Sequence, residues 1–270
     1  MLFFKNAKKI ENVPIEDRAF QYGDGCFTTA RLRNNQIELQ DLHWARLRNS
    51  CERLYLDADF DLIDKTLEQL QNHYPVLNGT LKILISRGRG QRGYSLPEHP
   101  ADIYILFYPK ASEVIRPQLI RSGVLNQAMG LCMPSLVGIK SLNRLEQVLL
   151  KKEAEMQGWD EALVTDVQGS VVEGVSSNCF VFQNNTWFTP ELRYNGIHGV
   201  MRATILSRMQ RKNIVCEQRF IDMENIGHFQ SLFFCNALSP MKIVTQLGQR
   251  SLDSQPCLDL FRILQLDQIS

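Results

Sequence analysis

The sequence lacks any run of about 18 apolar residues, the least that would cross a bilayer as a helix. Its opening Met1-Leu2-Phe3-Phe4-Lys5-Asn6 is too short an apolar stretch for a signal peptide. A charge bias is missing too: 30 Lys and Arg stand against 29 Asp and Glu, a formal net charge of +1, so global electrostatics select neither nucleic acid nor an anionic membrane. His43, His73, His99, His198 and His228 form no HxxxH or HExxH pattern, and the seven cysteines are scattered without a CxxC pair, so no metal site is expected. That odd, dispersed cysteine usage argues against a disulfide framework and suits a reducing compartment; a cytoplasmic location is the expectation. No internal repeat or low-complexity tract is visible.

What is present is a chain of 270 residues, long enough for two medium domains. Its apolar patterning and turn signals predict an α+β organisation. In the first half, strands are expected over 2–6 and 9–13, over 28–33 and 36–39 around an Asn34-Asn35 turn, and over 80–86 and 103–108. Helices are expected over 41–54, with Leu42, Ala45 and Leu47 as core candidates, and over 62–73. Pro109-Lys110-Ala111-Ser112-Glu113, with Pro117 soon after, marks a composition break. It divides the chain into an N-terminal α+β domain (1–112), a linker (113–120) and a C-terminal domain (121–270). The second half reads as a strand over 118–125, a helix over 141–157, strands over 161–165, 171–182 and 186–189, a helix over 200–212, and strands over 215–220 and 231–236. Asn184-Asn185 marks a turn.

Four features could carry chemistry. Lys140 stands at a strand-to-helix corner, with Ser141 as N-cap, Leu142, Leu145, Val148 and Leu149 on one helical face, and Gly158 as the stop. Taken alone, it reads as an ordinary solvated lysine. Glu173 lies in an otherwise uncharged strand and is either an outward-facing residue or a buried carboxylate that needs a cationic partner. Gly199 precedes a helix and leaves the N–H groups of Val200 and Met201 available to an anion such as phosphate. The loop Ser86-Arg87-Gly88-Arg89-Gly90-Gln91-Arg92-Gly93-Tyr94 is either a solvated basic loop or a clamp for carboxylates. A lysine, a carboxylate in an apolar strand and a phosphate cradle together are what pyridoxal 5′-phosphate needs, for the Schiff base, the pyridine nitrogen and the phosphate respectively.

Five ordered motifs carry a resemblance. Gly138-Ile139-Lys140-Ser141-Leu142-Asn143, Glu173-Gly174 with Ser177-Asn178-Cys179-Phe180, Phe188-Thr189-Pro190, Gly199-Val200-Met201-Arg202 and Cys235-Asn236-Ala237-Leu238-Ser239-Pro240 are similar, in order, to those of the fold-type IV pyridoxal-phosphate enzymes. Within that superfamily the chain resembles the aminodeoxychorismate lyases. The resemblance implies a two-domain α+β homodimer with the active site in a cleft between domains, the C-terminal one binding the cofactor. It implies Lys140 as the Schiff-base lysine and Glu173 as partner of the pyridine nitrogen. Arg46, otherwise an ordinary surface arginine, would hold the phosphate with the backbone of Val200, Met201, Asn236 and Ala237. Thr29 matches a hydroxyl close to the lysine; it would join Lys140 in catalysis and, with Arg92, Arg87 and Asn143, bind the substrate, 4-amino-4-deoxychorismate.

The same fold hosts D-amino-acid and branched-chain aminotransferases, which remain the alternative. The lysine motif does not separate them, although Leu145 stands where branched-chain enzymes usually carry an aromatic hydroxyl. The stretch Gly23-Asp24-Gly25-Cys26-Phe27-Thr28-Thr29-Ala30-Arg31 does. Aminotransferases commonly carry a Tyr-Glu or Phe-Glu pair there, whereas this chain has Phe27-Thr28 and then Thr29. The resemblance therefore implies elimination to 4-aminobenzoate and pyruvate, with Lys140 as general base and no second keto acid.

Overall fold

A computed structural model describes residues 1–269. The chain divides into two compact units, one of residues 1–113 with 139–143, the other of residues 114–138 with 144–269. Both are α+β.

The first unit is built on a six-stranded antiparallel sheet of β1 (Leu2–Lys5), β2 (Lys8–Lys9), β3 (Gly25–Arg33), β4 (Gln36–Ile37), β5 (Gly79–Ser86) and β6 (Asp102–Pro109), in the order β2-β1-β6-β5-β3-β4. Three helices accompany it: α1 (Arg18–Tyr22), α2 (Gln40–Leu54) and α3 (Asp61–Gln71). Strand alternation separates the two faces of the sheet. Cys26, Ala30 and Leu32 of β3, Leu81, Ile83 and Ile85 of β5 and Ile103, Ile105 and Phe107 of β6 meet Leu47 and Cys51 of α2 and Ile63 and Leu70 of α3 in one core. Phe27, Thr29, Arg31 and Arg33, and Thr80, Lys82 and Leu84, belong to the other face. The expected turn at Asn34-Asn35 is there, with both residues in the left-handed region (φ 49° and 70°) as a tight hairpin requires. Ala45, an expected core residue, is exposed; the helix turns His43 and Trp44 inward with Leu47.

The second unit carries a seven-stranded sheet. Its strands are β7 (Gln118–Ser122), β10 (Asn178–Gln183), β11 (Thr186–Pro190), β12 (Cys216–Arg219), β13 (Ser231–Asn236), β14 (Ser239–Leu247) and β15 (Arg250–Ser251). They run β12-β11-β10-β13-β14-β15, with β7 parallel to β14. A separate pair is formed by β8 (Leu163–Thr165) and β9 (Val171–Gly174), and the helices are α4 (Leu145–Met156), α5 (Val200–Arg211) and α6 (Gln255–Ile263). Phe180 and Phe233 stack across β10 and β13 with ring centroids 5.0 Å apart, and Trp187 closes on Phe233 edge-on at 5.5 Å.

Three expectations are corrected. The segment expected as a linker over 113–120 already contains the start of β7, because its backbone pairs with β14. The single strand expected over 171–182 is two strands. Buried Glu161 accepts from Ser176 N (3.0 Å), Ser176 Oγ (2.8 Å) and Ser177 Oγ (2.7 Å), which fixes a turn between β9 and β10. The helix expected from Ser141 begins at Leu145, and Leu145, Val148 and Leu149, its expected core face, are 71%, 61% and 52% exposed. Leu150 and Ala154 are the residues it buries.

Truncating Phe233, which is fully buried between two aromatic rings, removes contacts that the sheet cannot recover by local collapse. Phe233→Ala is expected to destabilise the protein by about 3–5 kcal/mol. Urea unfolding of the two proteins measures it, and a loss below about 1 kcal/mol would contradict this packing.

Candidate active site

Residues 139–143 form an extended strap laid beside the start of β3. Phe27 N donates to Lys140 O (2.9 Å), and Leu142 N donates to Gly25 O (3.0 Å). Ser141 bridges Cys26 in antiparallel fashion. These strand-like bonds compete with the first helical turn and win, so Ser141 is not a cap; Arg144 holds that position without a side-chain cap bond. Gly25 permits the approach, since a Cβ there would collide with the Ile85 carbonyl and the Leu142 side chain. Asn143 Nδ2 donates to Gly23 O (3.2 Å) and so pins the end of the strap.

Held in this way, Lys140 places Nζ 4.8 Å from the centroid of the Phe27 ring. Thr29, two residues along β3, lies on the same face, opposite Lys82 of β5. Lys82 Nζ is also 4.8 Å from the Phe27 centroid.

Arg46 reaches from α2 to the helix-covered face of β3, where Nη2 donates to Thr28 Oγ1. An arginine can only donate, so the single Thr28 proton turns to His43 Nδ1, 2.6 Å away, and His43 carries its own proton on Nε2. His43 Nε2 and Arg46 Nε are buried without hydrogen-bond partners among the described residues. Burial lowers the His43 pKa to about 3, aided by the Arg46 charge, and lowers that of Arg46 to about 10.

The loop arginines part company. Arg87 is committed: Nε binds Asp24 at 2.8 Å, and Nη1 and Nη2 donate to the carbonyls of Tyr55 (2.8 Å) and Leu54 (2.6 Å) at the end of α2. It serves as a buried clamp, an outcome the sequence reading as a carboxylate ligand did not anticipate. Arg92 is exposed on the loop.

In the second unit, Glu173 is 5% exposed on β9. Its Oε2 accepts from Ile197 N (3.0 Å) and Asn178 Nδ2 (3.3 Å), and the same Asn178 amide nitrogen donates to Ile197 O (2.9 Å). Arg144 feels the Glu173 charge, which opposes the lowering of its pKa by burial. Asn178 Oδ1 fills the space beside Gly199 that a Cβ would take. Glycine at 199 thus joins the Glu173 carboxylate to the start of α5, whose first turn has no side-chain cap. The Asn236 side chain makes its own turn: Oδ1 accepts from Leu238 N (3.1 Å) and Ser239 N (2.9 Å), and Nδ2 donates to Ser177 Oγ (3.1 Å). The backbone of Asn236 and Ala237 therefore lies at a fixed turn.

Residues 25–247 match the family profile described as Amino-transferase class IV. The chain belongs to the class IV aminotransferase family. Its relatives in that family include the aminodeoxychorismate lyase of Vibrio harveyi, 30% identical over 255 residues that span 88% of each protein. The D-alanine aminotransferase of Bacillus licheniformis is 24% identical over 250 residues, 90% of this chain and 85% of that one. The crystal structure of 4-amino-4-deoxychorismate lyase from Pseudomonas aeruginosa superposes with a TM-score of 0.85 at 29% identity, covering 97% of this chain and 98% of that one. Class IV aminotransferases depend on pyridoxal phosphate, and the residues here suit it: a strap lysine, a buried carboxylate, and an arginine head group with an unpartnered Nε.

Sequence reading singled out Lys140, Glu173, Arg46 and Thr29 but assigned nothing to His43, Thr28 or Asn178. The polar Asn178 heading an apolar strand was the available signal for the last of these.

Two predictions follow from the polar contacts. Neutral in the fold, His43 binds a proton in the unfolded chain below its ordinary 6.5, so it removes stability as pH falls from 6.5 toward its folded value of about 3. Between pH 6.5 and 5 this amounts to about 2 kcal/mol, and in His43→Asn that part of the pH slope disappears; equal slopes in urea titrations would contradict it. Gly199→Ala displaces Asn178 from Glu173, and cofactor affinity measured by equilibrium dialysis is expected to fall by about tenfold.

Proposed function

We propose that this chain is a 4-amino-4-deoxychorismate lyase that releases 4-aminobenzoate and pyruvate in folate biosynthesis, acting as a cytoplasmic homodimer. The observation that carries the reading is the Lys140 amine 4.8 Å from the Phe27 ring centroid, with Thr29 on the same sheet face, in a chain similar over 88% of its length to a lyase of that name. The aromatic contact leaves no phenolic hydroxyl to direct a substrate carboxylate in the manner of the D-amino-acid enzymes.

Bound here, pyridoxal phosphate supplies an electron sink for the pair released when a proton leaves the amine-bearing carbon. With the cofactor bound, Lys140 would supply the amine that links to it, and the freed Nζ would take the proton from the amine-bearing carbon. Expulsion of the enolpyruvyl oxygen breaks the ring C–O bond, and the enolpyruvyl methylene carbon gains a proton from Lys140 Nζ or by way of the Thr29 hydroxyl. Aromatisation of the ring drives the step. Glu173, positioned by Ile197 N and Asn178, is the carboxylate that would hold the proton on the pyridine nitrogen. The groups that would hold the phosphate are the uncapped N–H groups of Val200 and Met201 and the turn at Asn236 and Ala237 in the second unit, and the Arg46 head group in the first. Thr29 and Arg92 contact the substrate, while Asn143 acts by fixing the strap.

The exposed Leu145, Val148 and Leu149 on α4 support the homodimer. The free state of all seven cysteines supports a reducing compartment. The alternative, a D-amino-acid or branched-chain aminotransferase, rests on relatives at 24–26% identity.

Cofactor-loaded protein given 4-amino-4-deoxychorismate and no keto acid is expected to form both products. Lys140→Ala should lose the visible absorbance of lysine-linked cofactor together with turnover, and Glu173→Gln should retain cofactor and lose about 100-fold in kcat. Full turnover in either variant would remove the role assigned to that residue.

A further inference from the structure

The sheet face that carries Phe27 and Thr29 is rich in cations. Lys82 stands directly opposite Thr29, Arg31 and Arg33 follow on the same strand face, and Glu38 is divided between those two arginines at 3.1 and 2.7 Å. Lys82 and Lys140 place their amines at the same 4.8 Å from one aromatic ring. The ring attracts each cation weakly, and the two amines approach the same aromatic side chain from β5 and from the strap. A carboxylate that enters beside this face meets Lys82 on a strand whose register with β3 already positions it.

We propose that Lys82 is a substrate-binding residue that receives a carboxylate of the anionic substrate, fixing the reacting carbon relative to Lys140. This rests on the reading of Lys140 as the reacting lysine. It supplies the role in which Arg87 cannot serve, because each Arg87 nitrogen that donates is already bound to Asp24 or to the end of α2. Half-buried on a rigid strand, Lys82 has less rotamer freedom to lose than a loop arginine when it meets the ligand. A lysine there also selects for charge rather than for a bidentate geometry, so an acid is preferred over its amide.

The test uses cofactor-loaded wild-type protein, Lys82→Gln, Lys82→Met and Lys82→Arg. With 4-amino-4-deoxychorismate, Lys82→Gln and Lys82→Met are expected to raise KM about 10- to 100-fold with kcat within about threefold of wild type, and Lys82→Arg to recover most of the loss. Recovery by methionine would mean that the side chain only packs on Phe27, and an unchanged KM in Lys82→Gln would remove the role; both overturn the proposal. In parallel, calorimetric titration with 4-aminobenzoate and with 4-aminobenzamide should show a preference for the acid in wild type that vanishes in Lys82→Gln. Equal preference in the two proteins, or no preference in wild type, overturns it without reference to turnover. A wild-type protein that fails to turn over the substrate instead overturns the lyase reading, and the titration still decides Lys82.

Discussion

Two backbone hydrogen bonds, Phe27 N to Lys140 O and Leu142 N to Gly25 O, determine where Lys140, the lysine proposed to react, stands. A lysine side chain has four rotatable bonds, and anchoring its backbone on both sides to a nine-residue strand removes the uncertainty that a loop would add. The rest of the first unit supports that pairing. Gly25 allows the backbones to approach, Asn143 ties the strap's far end, and the apolar face of β3 is locked to α2 and α3. The polar trio of Thr28, His43 and Arg46 interrupts that core at one point, where the cation's head group is kept partly unsatisfied.

The second unit solves a different problem, which is how to bury a carboxylate. Glu173 accepts from one backbone N–H and one side-chain amide, and the Arg144 charge acts on it as well. Such donors fix the orientation of the acid. Glu161, fully buried as well, is used for architecture: three hydrogen bonds from Ser176 and Ser177 turn the chain between β9 and β10. The two acids of this unit thus differ in what they join: Glu161 closes a turn within the chain, and Glu173 ties β9 to Ile197 and Asn178.

Much of this was legible in the sequence. The strands over 2–5, 25–33, 79–86 and 102–109 and the Asn-Asn turns follow from alternation and from the left-handed tolerance of asparagine, whereas the strand expected over 9–13 shrinks to Lys8–Lys9 and that over 36–39 to Gln36–Ile37. Helix α4 was misread because Leu142, Leu145, Val148 and Leu149 repeat at helical spacing, yet three of them are exposed and Leu142 belongs to the strap. Periodicity records a shared face, not what covers it. Arg87 and Lys82 show a second limit. Both are single cations in strand or loop context, and only the register of β5 against β3 and the carbonyls at the end of α2 tell the clamp from the residue on the face of Phe27 and Thr29. Such distinctions depend on pairing between segments about 50 residues apart, which local pattern does not encode.

The central claim is that the site carries out elimination with the amine retained by the product. The most direct measurement gives the cofactor-loaded protein 4-amino-4-deoxychorismate labelled with nitrogen-15 at its amine and follows the label by mass spectrometry through a single turnover. All of it is expected in 4-aminobenzoate, with an equal amount of unlabelled pyruvate. Label left on the cofactor, with a keto product in place of the aromatic amine, would contradict it and make the protein an aminotransferase.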